Sequence, residues 1–278
     1  LARAGQFDAH FPPREMTDRI LGMVQKLGID PTAGGSIRFD LEARPKKSPR
    51  AFCAPVCIPE EVYLVIHPVG GVDDYGAFLH ELGHALHFAH TSSSLAWEYR
   101  RLGDYSVTEA FAFVFDHLVR NDRWLSRTVG WQNNRSFLQH AAFVELMMLR
   151  RYAAKLSYEL VLYDGRALNG KDEVYRRLLS AATMASYSSA QYLADVDPFF
   201  YCARYLRAWM VESMLSRHLT ENFGDDWFLN PRAGEFLKEL WSGGQKQRAE
   251  EFVRGLAYPA LTMELIKMNI ETILGSSQ

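Results

Sequence analysis

Five residues near the end of the first third of the chain, His80-Glu81-Leu82-Gly83-His84, carry the clearest chemistry in it. They lie within an apolar pattern of Phe78, Leu79, Leu82, Ala85, Leu86 and Ala89 that demands a helix. Residues four apart on a helix share a face, so the two imidazoles converge on one metal ion while Glu81, one position round, reaches a metal-bound water. Zinc takes this donor set where it activates water. The alternative is a surface helix with two solvated histidines, which makes the spacing a coincidence.

Zinc needs a third protein ligand. His90 lies ten positions after His80, but with His87 in place of a helix-breaking glycine, helical rise carries His90 about 15 Å along the axis and off the ligand face. His87 shares the face one turn beyond the pair, and reads as a group behind a ligand, a group facing substrate, or a surface histidine. Glu109 is the stronger candidate. It opens Glu109-Ala-Phe-Ala-Phe-Val-Phe, a helix apolar on all sides and therefore buried, where a carboxylate is tolerated only when paired or metal-bound. A second role competes for it, because Ser106-x-x-Glu109 is also a capping box. Two histidines alone leave a zinc site incomplete, which favours the ligand; Glu98 is the fallback.

The elements that must hold these groups follow from periodicity. A first helix is expected over residues 14–27. Short β-branched and aromatic runs at Ser36–Asp40 and Val62–Ile66 predict two or three strands. Helical patterns then run from about Tyr75 to His90, Val107 to Val119, 134–162, 172–184, 199–222 and 232–240. Asp197-Pro198 reads as a helix start, Gly224 as a helix end and Asn169-Gly170 as a turn. The strand at Val62–Ile66 reads either as an edge to which an extended peptide adds or as an ordinary structural strand. The stretch Ser186–Asp197 reads as a mobile cover over the site. The expected fold is mainly α with a small β-sheet near the N-terminus, a single domain over 1–278 with helix and sheet in 1–72 and the helical zinc region in 73–278.

Composition narrows the partners. The 278 residues are 48% hydrophobic and 23% charged, enough to bury a substantial core. With 31 Lys and Arg against 33 Asp and Glu, there is no basic footprint for nucleic acid and no polybasic membrane signal. No apolar run approaches bilayer length. Cys53, Cys57 and Cys202 are too few for a disulfide framework, which suits a reducing compartment and predicts a cytoplasmic protein.

The string His80-Glu-Leu-Gly-His-Ala-Leu-His87, a Glu 25 positions after His84, and Ala51-Phe-Cys53 after a basic run resemble the thimet oligopeptidase and oligoendopeptidase F family of zinc peptidases. Phe200-Tyr201-Cys-Ala-Arg-Tyr205, Asn230-Pro-Arg-Ala-Gly and Leu240-Trp-Ser-Gly-Gly resemble its tyrosine-bearing helix and the segments after it. The resemblance runs from about Asp40 onward and corresponds to the catalytic half of a usually longer protein. It implies a helical, zincin-like metallopeptidase catalytic domain with a channel for short peptides. His80, His84 and Glu109 match the family's zinc ligands, Glu81 its general base, and Asp116 an acid that holds a ligand histidine. Tyr205, with Tyr201, matches donors to the oxyanion, although two tyrosines four apart on an apolar helix otherwise read as packing. Two departures stand out: Ala110-Phe-Ala replaces the family's Pro-Ser-Gln, and its tyrosine pair is three apart, not four. The rival function is an inactive zinc-bearing module that only captures peptides. The start at Leu1 and the half-length resemblance raise the expectation of a missing N-terminal helical domain, with self-association over the face it would cover.

Overall fold

The computed structural model describes residues 4–32 and 35–275; Leu1, from which the expectation of a preceding domain starts, lies outside them. Helix α1 (Pro13–Lys26) places its proline at the first turn, where the missing N–H is no loss. Strands β1 (Ile37–Asp40), β2 (Phe52–Cys57) and β3 (Glu61–Val65) follow. β3 is the central strand, parallel to β1 and antiparallel to β2. The segment at Val62–Ile66 is therefore not an edge, because Val62, Leu64 and Val65 are buried between two partners. β2 is an edge, where Pro55 and the irregular register between Pro55 and Cys57 are tolerated. The basic run before it folds onto the sheet: Lys47 Nζ donates to the Asp40, Glu42 and Ile66 carbonyls and to the Asp40 carboxylate.

The rest is helical: α2 (Val72–His90), α4 (Tyr105–Asp116), α6 (Arg135–Leu162), α7 (Lys171–Thr183), α8 (Tyr201–Phe223) and α9 (Pro231–Ser242) follow the periodicity, and α3 (Trp97–Arg101), one turn of α5 (Asp122–Trp124), α10 (Ala249–Gly255) and α11 (Glu264–Gly275) were not expected from it. α3, α5 and α10 are too short to show a period, and α11 buries only Ile266 and Ile270. No helix among the described residues is long and apolar enough to cross a membrane.

α4 lies between α2 and α8 and is buried without a break from Ser106 to Phe115. Around it the main core gathers Phe78, Leu82 and Leu86 of α2, Val211 and Met214 of α8, and Trp241 of α9. A smaller cluster forms where Tyr158 and Leu162 of α6 meet Tyr175 and Leu179 of α7. Ser186–Asp197, expected as a mobile cover, packs on this second cluster through Tyr187, Tyr192 and Val196. Arg151 and the Tyr175 hydroxyl hold Asp195 at 2.7 and 2.8 Å, and Tyr158 donates to the Tyr192 carbonyl at 2.6 Å. Asp197 and Pro198 do start a helical turn, the 3-10 turn Pro198–Phe200, but the Asp197 side chain makes no cap hydrogen bond and pairs with Lys155 at 2.5 Å. Phe199 and Phe200 take left-handed φ values of 57° and 53°, so the helix proper starts only at Tyr201. Gly224 ends it, with φ 89°.

Candidate metal centre

His80 and His84 leave α2 one turn apart, with ring centroids 5.0 Å from each other, on the face that meets α4. The two helices come close because residue 83 is glycine. A β-carbon there would stand 2.7 Å from Ala112 Cα and 2.8 Å from the Phe111 carbonyl oxygen. Across this pass Glu109 Oε2 lies 3.5 Å from His80 Nε2 and 3.7 Å from His84 Nε2. Its other oxygen accepts from the Tyr201 hydroxyl at 2.7 Å.

Glu109 Oε2 is buried and has no hydrogen-bond partner among the described residues. A carboxylate oxygen left so, with two imidazole nitrogens aimed at the same point, calls for a cation. The three ligand atoms lie within 4.8 Å of one another, the only such group of His, Cys, Asp or Glu among the described residues. The His80 side chain remains 18% exposed, which leaves a path for water. Two imidazole nitrogens and one carboxylate oxygen with an open side suit a catalytic metal.

The competing role of Glu109 is not realised. Asp104 caps α4 in place of Ser106, its carboxylate accepting the Ser106 N–H at 2.9 Å. Glu98 is exposed on α3 and joins no ligand group. His90 donates to the Leu86 carbonyl at 2.8 Å and packs beside Trp241.

Each histidine is also held from behind. Asp116 Oδ2 lies 3.4 Å from His80 Nδ1. Thr108 Oγ1 lies 3.0 Å from His84 Nδ1 and 3.0 Å from His87 Nδ1. His87 is 0% exposed, so it is neither a surface histidine nor one facing substrate: its turn of α2 is covered by α4. Nothing in residue type or spacing marks Thr108; only the packing of α4 on α2 reveals it.

The charges around the two imidazoles differ. Burial disfavours the His80 imidazolium, but Asp116 and Glu109 on either side overcome this and push its pKa up to about 10. Burial takes His84 down to about 4, against the pull of Glu109. Glu109 itself is desolvated, yet His80, His84 and the Tyr201 hydroxyl hold its pKa below the usual carboxylate value. Glu81 stands on the β2 side of the helix; burial raises its pKa, while His80 and the Cys53 backbone pull it back.

Tyr201 and Tyr205 come together on α8 with ring centroids 5.0 Å apart. Tyr201 is spent on Glu109. Tyr205 packs against Phe113 and Tyr152, and its hydroxyl makes no hydrogen bond among the described residues; burial first, and then the Glu109 charge, raises its pKa.

No family model and no curated protein matches this sequence. Solved structures do match. An M32 carboxypeptidase from Deinococcus radiodurans R1 is 16% identical with a TM-score of 0.64, over 97% of this chain and 61% of its own. The Trypanosoma cruzi metallocarboxypeptidase 1 is 15% identical with a TM-score of 0.65, over 95% of this chain and 59% of its own. A protein assigned as oligoendopeptidase F from Bacillus anthracis str. Ames is 14% identical with a TM-score of 0.60, over 93% of this chain and 45% of its own. The likeness establishes the fold. The chain thus spans between 45% and 61% of the length of these structures, and carboxypeptidases stand among them beside the oligoendopeptidase type.

Proposed function

We propose that this chain is a zinc peptidase that cleaves short peptides, with residues 1–278 acting as one catalytic unit of the oligoendopeptidase F type. The observation that carries the proposal is the unpartnered Glu109 Oε2 facing His80 Nε2 and His84 Nε2, with the Glu81 carboxylate one residue away. His80, His84 and Glu109 would hold the zinc, which when bound supplies an acidified water and polarises the scissile carbonyl. Glu81 takes the proton of the attacking water on its carboxylate and hands it to the leaving amine. Burial raises the Glu81 pKa, the direction that suits a carboxylate which must both accept and release a proton. Tyr205, whose hydroxyl has no hydrogen-bond partner among the described residues, donates to the oxyanion; Tyr201 orients Glu109, and Asp116 orients His80. β2, an edge strand beside Glu81, gives an extended peptide a row of backbone groups to pair with.

The intact Glu81 weighs against a module that only captures peptides, since capture needs no base. The test is a set of quenched peptides of graded length, each with a free or an amidated C-terminus, offered to the zinc-loaded protein and to Glu81→Gln. Turnover of short peptides is expected in the wild type, with a loss on the order of 10²–10⁴-fold in Glu81→Gln at unchanged zinc content. Dependence on the free carboxyl would make the enzyme a carboxypeptidase. Bound zinc without turnover of any peptide would leave the capture module as the correct reading.

A further inference from the structure

Behind His84, Thr108 Oγ1 stands 3.0 Å from His84 Nδ1 and 3.0 Å from His87 Nδ1. A hydroxyl has one proton to give and two lone pairs with which to accept. An imidazole that binds a metal through Nε2 keeps its proton on Nδ1, so His84 must be the donor to Thr108. The proton of Thr108 then has one taker among the described residues, His87 Nδ1. His87 is left neutral, with its own proton on Nε2.

The surroundings of His87 agree with that direction. It is wholly buried, no carboxylate among the described residues faces it, and burial pushes its pKa down to about 3, so it stays an uncharged acceptor. On its far side Nε2 has no hydrogen-bond partner among the described residues, with the Gly244 backbone near the ring. Thr108 is itself 2% exposed, which excludes bulk water as a substitute partner.

His80 and His84 are therefore held by different devices. Asp116, which holds His80, can only accept when ionised, so it sets the His80 tautomer unaided. Thr108 can face either way. With no acceptor behind it, its proton would turn to His84 Nδ1, and His84 would carry its proton on Nε2, where the metal must bind.

We propose that Thr108 and His87 are positioning residues for the metal, forming a one-way relay from His84 through Thr108 to His87 that keeps the His84 Nε2 lone pair directed at the site. The relay rests on the assignment of His80, His84 and Glu109 as ligands. It adds two residues to the metal centre that make no contact with metal or peptide.

Zinc affinity, measured by competition with a chelator, tests it without reference to catalysis. Thr108→Ser keeps the hydroxyl and should bind zinc within a few-fold of the wild type. Thr108→Val, nearly the same size, should bind about 10–100-fold more weakly, as should His87→Leu. His87→Asn places an amide oxygen near the position of Nδ1 and should recover most of the loss. One cut suffices to break a relay, so the Thr108→Val/His87→Leu double variant should be no weaker than the worse single; two independent packing defects would multiply. Nitrogen NMR of the imidazoles in the zinc-loaded wild type gives a reading that needs no variant: protons are expected on His84 Nδ1 and His87 Nε2. Wild-type affinity in Thr108→Val, multiplying losses in the double variant, or a proton on His87 Nδ1 would each overturn the relay. A wild type that takes up no zinc would instead refute the ligand assignment, and the relay with it.

Discussion

Gly83→Ala is the most demanding test of how the site is held together. The added β-carbon would stand 2.7 Å from Ala112 Cα, where carbon atoms in contact need about 3.5 Å, so α2 and α4 must separate by roughly 0.8 Å. The neighbours are backbone atoms and cannot swing aside. Overpacking of this kind costs about 1–3 kcal/mol, and the better helix propensity of alanine returns about 1 kcal/mol. The metal-free protein should thus lose no more than about 2 kcal/mol in urea unfolding. Zinc is less forgiving. Its ligand distances hold to within about 0.2 Å, so a shift of roughly 0.8 Å between the helices carries Glu109 out of reach of a metal on His80 and His84. Zinc affinity should then fall by more than the roughly 10–100-fold that follows loss of an outer partner. Gly22→Ala on α1, where a β-carbon meets nothing within 4 Å, is the control and should leave affinity unchanged. If Gly83→Ala were destabilised as expected yet bound zinc like the wild type, helix spacing would not be what places Glu109.

Asp104→Ala removes the cap of α4 and should cost about 0.5–2 kcal/mol at neutral pH. Burial alone would raise the Asp104 pKa, but the Ala249 and Ser106 N–H groups and Arg207 hold it below the ordinary value. Its contribution is therefore present above pH of about 4 and lost as pH falls, so the urea-unfolding gap between wild type and variant should close in acid; a gap that widens would refute the assignment. The two tyrosines should separate by readout. Tyr205→Phe should lower kcat by on the order of a hundredfold with zinc retained, whereas Tyr201→Phe, which strips Glu109 of its donor, should weaken zinc binding by about tenfold or more. The reverse pattern would exchange the roles given to them.

Within a helix, relations are local: 3.6 residues per turn and apolar residues on one stripe are enough to place His80 and His84 on a shared face, with Glu81 beside them. The same local rule accounts for how closely α6 and α7 follow the pattern in their residues, and Gly224 announces its helix end for an equally local reason. Even the burial of α4 can be read from the chain, because a helix apolar on every side has nowhere else to go.

Contacts between elements obey no such spacing. Glu109 had two chemically sound roles along the chain, and the cap supplied by Asp104 together with the close pass at Gly83 released it toward the histidines. Tyr201 reaches Glu109 across 92 positions, and Thr108 meets His84 and His87 only because α4 lies on α2. Strand order is equally remote from periodicity: an alternating run looks the same at an edge or in the middle, and it was the pairing of β3 with both neighbours that left β1 and β2 as the edges. The pattern along the chain names which residues can share a face; which face meets which depends on how side-chain volumes fit across the helix interfaces, a quantity summed over residues far apart in the chain.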